Sequence, residues 1–431
     1  MAASKNRSRL DERSGRECTD LWFCKKLNMR YFAILMSLLV GFFPLSVWTN
    51  SGLMYYSFSG LLLMVMLAYR VGKVKINVGY IKPITPLLVL FLSFLFSALW
   101  ALDPGQSIYH ALQFGVFLVI SVVMWRSFQG NVEKYFMYVI VLSCMVVILA
   151  FLVTIISYGS VRNVPADVRN EIGAYSNFGA SVLILSLPFI LDKVARDKSH
   201  MLYAMLLTLL VFGLLASASR SALVLPTLYL VYWLYASMGN HRSKASSSYI
   251  IWLMLVIVIS ITPFYFMEIG KVALETALTS SVERLFGEGY DHESLRALSF
   301  KVLYDIYEKY YPMGVGYYNF YEYMKPLYSD PIISHSILIT MAGEIGLIGI
   351  VILLAFFSSI LVCIKRLVCR DIQISGGFRK ALASSVVLGS MHWMVRPEHD
   401  NLLYIAILVM AFQISRIKIT LVDKSETGRD G

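Results

Sequence analysis

Ser334-His-Ser-Ile-Leu-Ile-Thr-Met-Ala-Gly-Glu-Ile-Gly-Leu-Ile-Gly349 opens on a polar pair, His335-Ser336, and then turns apolar without a break to about Cys363. The run predicts one continuous membrane helix over Ile337–Cys363. A histidine at the mouth of a membrane helix is costly to place there, which makes His335 a functional candidate. Glu344, Gly343, Gly346 and Gly349 fall on the same predicted helix. Small residues at such positions let neighbouring helices approach closely.

This segment is one of many of its kind. Of 431 residues 58% are hydrophobic, and the mean hydropathy is +0.66, the composition of a polytopic membrane protein. Twelve apolar segments are legible, near Tyr31–Trp48, Leu53–Tyr69, Pro83–Leu99, Ala111–Trp125, Tyr135–Ile156, Phe178–Leu191, Met201–Ala216, Ala222–Met238, Tyr249–Phe266, Ile337–Cys363, Ala381–Met394 and Leu402–Ile414. Several fall short of the roughly 20 residues of an ideal span, which leaves their boundaries soft. Phe178–Leu191 is the weakest, but the loops on either side require a crossing there.

Loop charge tests this count. With the amino terminus in the cytoplasm, the inner loops and tails hold 28 of the 38 Lys and Arg residues. The positive-inside rule is then obeyed at every crossing, with both ends inside. The net charge of +11 is therefore mostly topology. The basic tail from Lys5 to Arg30 suits orientation against anionic lipid, and no nucleic-acid partner is expected. The fold expected is all-α, a polytopic integral membrane protein of about twelve transmembrane helices with a helical outside loop before the tenth. Its parts are a basic cytoplasmic tail (1–30), helices one to nine (31–266), the loop (267–334), helices ten to twelve (335–414) and a second cytoplasmic tail (415–431). The first apolar run begins after 30 residues and has no small-residue cleavage site, so no cleaved signal peptide is expected. No cysteine falls in an outside loop, so neither a disulfide nor a metal cluster is expected.

Few charges remain to do chemistry. Arg220, in Ala216-Ser-Ala-Ser-Arg-Ser-Ala222, stands in a short outside turn without a carboxylate nearby in sequence. It reads either as a snorkelling anchor or as the contact of an anionic ligand. The loop from Ser157 to Asn177 carries Arg162 and Arg169 among mixed charges, and either covers a site or is merely solvated. In the long loop, Lys271–Leu285 is amphipathic, and Ser294–Tyr311 carries Leu295, Leu298, Val302 and Ile306 as a helical stripe with Arg296 near its edge. Pro312-Met-Gly-Val-Gly316 ends that helix, and Tyr317-Tyr-Asn-Phe-Tyr321 follows. Aromatic residues at this density either anchor at the lipid interface or stack on sugar rings. His110, at the outer end of the fourth span, reads as an interfacial histidine, with catalysis as the alternative. The last outside loop, with Arg396, is either a substrate contact or solvated.

There is no P-loop, no Rossmann glycine pattern and no metal-ligand spacing, so no cofactor is expected and an ATP-driven pump is disfavoured. No internal repeat supports a secondary transporter. The outside groups are mostly cationic, with one imidazole and no paired carboxylates, unlike a glycosidase. Guanidinium groups match diphosphate oxygens bidentately and neutralise charge on a leaving diphosphate. An imidazole can take a proton from an attacking hydroxyl near neutral pH. Together they describe transfer from a lipid diphosphate to an acceptor hydroxyl, outside the membrane, without ATP or metal.

Three stretches resemble the O-antigen ligase and O-antigen polymerase family of bacterial inner-membrane proteins. They are Ser219-Arg220-Ser-Ala-Leu; Arg296 followed by Gly314-Val-Gly316-Tyr-Tyr-Asn319-Phe320; and His335-Ser336 followed after nine residues by Gly346-Leu-Ile-Gly349. Many relatives have His-Asn where this chain has His-Ser. The resemblance covers roughly residues 160–365 in detail. It implies a metal-independent glycosyltransferase whose donor is glycan on undecaprenyl diphosphate. In that reading Arg220 and Arg296 bind the diphosphate, and His335 orients or deprotonates the acceptor hydroxyl. Arg162, Arg169, Asn319 and Arg396 are the substrate-contact candidates. A ligase passes the glycan to lipid A–core; a polymerase passes it to a second lipid-linked repeat unit. The histidine pattern and the long loop before it favour the ligase. A flippase for lipid-linked glycan would need charges along a central path, whereas these cluster at the outer ends of the helices. Both termini are expected in the cytoplasm and the active site in the periplasm.

Overall fold

A computed structural model describes residues 30–48, 60, 81–128, 130–158, 166–196, 200–217, 219–238, 292–327, 336–369, 374–395 and 401–416; side chains are described for all of these except 46–48, 166–176, 200, 220–221, 237–238 and 292–297. Every regular element among the described residues is helical. In chain order the helices are α1 (Arg30–Leu45), α2 (Thr85–Phe96, with a 3-10 turn at each end), α3 (Pro104–Phe128), α4 (Val132–Tyr158), α5 (Ala166–Arg196), α6 (His200–Ala216) and α7 (Arg220–Met238). They continue as α8 (His292–Tyr310), α9 (Phe320–Met324), α10 (Ile337–Glu344), α11 (Gly346–Cys369), α12 (Gly376–Val395) and α13 (Leu402–Ser415).

Among the described residues, five segments are long and apolar enough to cross a bilayer: Lys82–Leu99, Pro104–Phe128, Val132–Tyr158, Asn177–Arg196 and Gly346–Cys369. Four apolar helices are shorter: Arg30–Leu45, Met201–Ala216, Ala222–Ala236 and Leu402–Ser415. The chain is thus an all-helical, multi-pass membrane protein. The predicted spans Leu53–Tyr69 and Tyr249–Phe266, and the amphipathic stretch Lys271–Leu285, lie outside the described residues, Gly60 apart.

Phe178–Leu191, the weakest of the predicted spans, is buried on nearly every side within α5, which packs most extensively on α6 and α12. Its hydroxyls return their protons to the helix backbone, as Ser181 to Phe178 and Ser186 to Val182. They therefore cost little inside an apolar bundle. α13 is likewise buried all round, against α3. Asn401 caps it by accepting the Tyr404 N–H and donates to Ser181 at 2.6 Å.

At one end of the bundle the last turns of α5, α7 and α11 meet the first turn of α12, and Glu133 at the start of α4 accepts the Ser375 N–H at 2.6 Å. This basic end gathers Lys193, Arg196, Lys365, Arg366, Arg379 and Lys380. The opposite end, called here the junction end, holds the close of α2, the starts of α3, α7 and α11, and the turn between α8 and α9.

One expectation is corrected. The run from Ile337 does not form one helix: it breaks at Ile345–Gly346 into α10 and α11. Gly346 adopts φ +73°, a left-handed conformation that glycine tolerates without steric cost. The Leu347 N–H leaves the helical ladder for the Pro312 carbonyl, 3.0 Å away. Hydropathy is blind to such a break, since both pieces are apolar. α11 alone is about 36 Å long at 1.5 Å per residue, enough to span without α10. α10, with Glu344 at its end, precedes this spanning segment, Gly346–Cys369.

Candidate functional site

The α8–α9 turn is the best-defined structure at the junction end. Val302 and Ile306, the inner positions of the predicted stripe on α8, are fully buried against Val315, Phe320 and Met324. The Val315 and Gly316 N–H groups donate to the carbonyls of Gly343 (2.9 Å) and Glu344 (2.7 Å). These are orphan carbonyls at the close of α10, and the turn satisfies them. Gly314 and Gly316 have φ +77° and +95°, and a side chain at either would overlap backbone of α10 or of Ala101. A Cβ on Gly343 would come 2.6 Å from the Phe320 ring. Of the glycines expected to admit a close neighbour, Gly343 and Gly346 meet the α8–α9 segment, whereas Gly349 meets only Ile345 and Met341 of its own segment.

On its other face the turn is fastened to α2 and α3. Val315 O accepts the Leu102 N–H at 3.0 Å. Tyr317 is fully buried, stacks on Phe94 with centroids 4.0 Å apart, and donates its N–H to Ser97 Oγ. Asn319, also fully buried, spends its amide within the protein. Its Nδ2 donates to Ser107 Oγ (2.8 Å), Tyr317 O (2.9 Å) and Asp103 O (3.3 Å), and its Oδ1 accepts the Asp103 N–H (2.8 Å). Asn319, a substrate-contact candidate from sequence, is thus placed as a latch beneath the site.

The aromatic run splits by position. Tyr317 and Phe320 point inward, whereas Tyr318 and Tyr321 remain exposed. Tyr318 (φ 65°) stacks on His110 with centroids 3.4 Å apart, and His110 Nδ1 lies 3.2 Å from Gln113 Oε1. Beneath them Glu344 Oε1 accepts the Phe320 N–H at 3.4 Å. Burial pushes the Glu344 carboxyl up to about 8, against the opposing pull of the Tyr318 and Phe320 N–H groups.

Among the candidate cations, Arg220, Arg169 and Arg296 lie on described helices. Arg220 is the first residue of α7, behind Ser219, whose carbonyl accepts the Leu223 N–H. Arg169 lies in the first turn of α5 and Arg296 in the second turn of α8; the positions of their side chains, and of Arg220's, are not described. His335, Arg162 and Arg396 lie outside the described residues, but each is close in sequence to a described residue at the junction end: Ser336, Tyr158 and Val395. Ser336 stands just before α10 and its carbonyl accepts the Thr340 N–H, and α10 packs on α8.

Residues 204–354 match a family model described as O-antigen ligase. Over this segment the chain is similar to the O-antigen ligase family. The match runs from α6 into α11, and so takes in Arg220, Arg296, Asn319 and His335 together with the whole turn. Arg162, Arg169 and Arg396 fall outside it. A search of curated proteins gave no match. The matched segment supplies one half of the junction; the other half, Ser97, Asp103 and Ser107, comes from the close of α2 and the start of α3. Asp103-Pro104 is a legible helix start, and Asp103 Oδ1 does accept the Gln106 N–H. Nothing local to Ser97 or Ser107 announces a partner more than 200 positions away.

Proposed function

We propose that this protein is an O-antigen ligase-type glycosyltransferase. It moves glycan from undecaprenyl diphosphate to a hydroxyl of lipid A–core on the periplasmic face of the inner membrane. The observation that carries the reading is the shared anchorage of the two loop-borne candidates. α8, bearing Arg296, and α10, entered directly after His335, pack together and are locked by one turn to the starts of α3 and α11. Such anchorage holds reacting groups in a fixed relation, which is worth several kcal/mol of a transfer barrier.

In this reading Arg220 and Arg296 hold the donor diphosphate and stabilise the charge that builds on it as the glycosidic bond breaks. The acceptor oxygen attacks the anomeric carbon, the diphosphate leaves with the bonding electron pair, and His335 orients the acceptor hydroxyl or takes its proton. Arg162, Arg169 and Arg396 extend the cationic surface along the glycan. Tyr318 and Tyr321, exposed over the latch, offer stacking faces to sugar rings.

The test is the lipopolysaccharide ladder of a host strain lacking this gene, complemented with wild type, Arg220→Ala, Arg296→Ala or His335→Ala. Bare core, with long glycan retained on the carrier lipid, is the expected result for the deletion and all three variants. Core bearing a single repeat unit would instead assign a polymerase. A ladder unchanged by deletion would overturn both.

A further inference from the structure

A second site stands at the basic end of the bundle. A cavity of about 650 Å³ opens there between α5, α7, α11 and α12, in the size range of small-molecule sites. Its wall is apolar, formed by Leu225, Leu228, Trp233, Leu388 and Met391 among others. Leu228 and Met391 in this wall are exposed, so the cavity is not sealed. Its head is polar. Arg196 pairs with Asp192 at 3.0 Å, and Lys380 lines the wall one turn into α12. The pair rests on Gly377, where any Cβ would overlap the Arg196 guanidinium. The Tyr229 hydroxyl is hydrogen-bonded to Ser384 within the same wall.

Shape and charge narrow the occupant. A slot that is apolar along its length and cationic at one end has the form of a phospholipid. Lys193 adds positive charge beside the Asp192–Arg196 pair and Lys380, with Glu133 and Asp192 the opposing carboxylates. Basic pockets between membrane helices select anionic headgroups. Arg196 is half exposed despite its ion pair, so its outer face remains open to a phosphate oxygen.

We propose that this cavity binds an anionic phospholipid, with the phosphate between Arg196 and Lys380 and an acyl chain along Leu225, Leu228 and Met391. The site is separate from the glycan-transfer junction, at the other end of the bundle, and does not depend on the activity proposed for that end.

Full-length protein in a neutral detergent is titrated with phosphatidylglycerol or phosphatidylcholine carrying brominated chains, and quenching of Trp233 is read as the difference between wild type and Trp233→Phe. Phosphatidylglycerol is expected to reach half-quenching at about fivefold lower mole fraction, the worth of about one cation–headgroup contact. Lys380→Gln, and separately Asp192→Asn with Arg196→Gln, should bring the two curves together. Val387→Phe, which narrows the cavity from its exposed wall, should abolish quenching by both lipids while the size-exclusion profile is kept. Equal quenching by the two lipids in wild type would overturn the proposal. So would displacement of the bound lipid by millimolar inorganic phosphate, which would mark a site for free anions.

Discussion

Asn319 and Ser107 stand 212 positions apart in sequence and are joined by a buried hydrogen bond of 2.8 Å. Ser107 in turn donates to Tyr317 O at 2.6 Å, so two side chains close a ring of polar contacts around the turn. Removing either partner orphans buried groups, at about 1–3 kcal/mol for each group left unsatisfied. Asn319→Ala should therefore lower the unfolding midpoint in detergent more than Ser107→Ala does. The double variant should lose less than the sum, because the groups share partners. Additive losses would separate the two residues energetically and refute the latch.

The glycines of the turn and of the helix break make a sharper prediction. Gly346→Ala puts a Cβ onto the Pro312 carbonyl at a backbone angle that side chains rarely adopt. Gly314→Ala meets the Gly343 and Glu344 carbonyls in the same way. Both should destabilise by more than about 2 kcal/mol, read as loss of monodisperse protein on size exclusion. Gly376→Ala is the control. Its nearest neighbour, Arg379 Nη2, is 3.8 Å away, and alanine favours the helix it starts. That variant should behave as wild type.

How much of this was legible in the sequence depends on how local the signal is. The α8 stripe could be read because Val302 and Ile306 repeat at helical spacing. Gly314 and Gly316 announced a turn. The break at Gly346 was hidden, because the residues on both sides are apolar and only the returning loop pulls the Leu347 N–H away. The partition of Tyr317 from Tyr318 was hidden too. Neighbouring tyrosines have the same composition, and only the position of Phe94 and His110 in three dimensions decides which one turns inward. The central place of α5 was masked by Ser181 and Ser186, whose hydroxyls lower its hydropathy yet are satisfied along the helix.

Glu344 predicts a pH dependence. Its folded-state value of about 8 lies above the ordinary 4.5, so the native protein holds this proton where the unfolded chain has released it. The contribution to stability is complete below about pH 4.5 and is lost as pH rises through about 8. The difference in melting temperature, wild type minus Glu344→Gln, should fall steadily between pH 5 and 8. A difference that is flat or rises with pH would show that the carboxyl is ionised in the fold.

The arginine assignments rest on geometry that an ammonium group cannot copy. A guanidinium presents paired donors in one plane and binds two diphosphate oxygens at once; a lysine offers one compact charge. If Arg220 grips the donor diphosphate, Arg220→Lys keeps the charge and loses the fork. Glycan transfer from purified lipid-linked donor should then fall about tenfold in Arg220→Lys and about a thousandfold in Arg220→Ala, the range seen when one charge-stabilising donor is removed. His335→Ala should behave differently. It leaves the diphosphate contacts intact, so donor binding measured without acceptor should be unchanged while turnover is lost. Full turnover in Arg220→Lys would reduce that residue to a simple positive charge at a helix start. Weakened donor binding in His335→Ala would move the imidazole from the acceptor side of the reaction to the donor side.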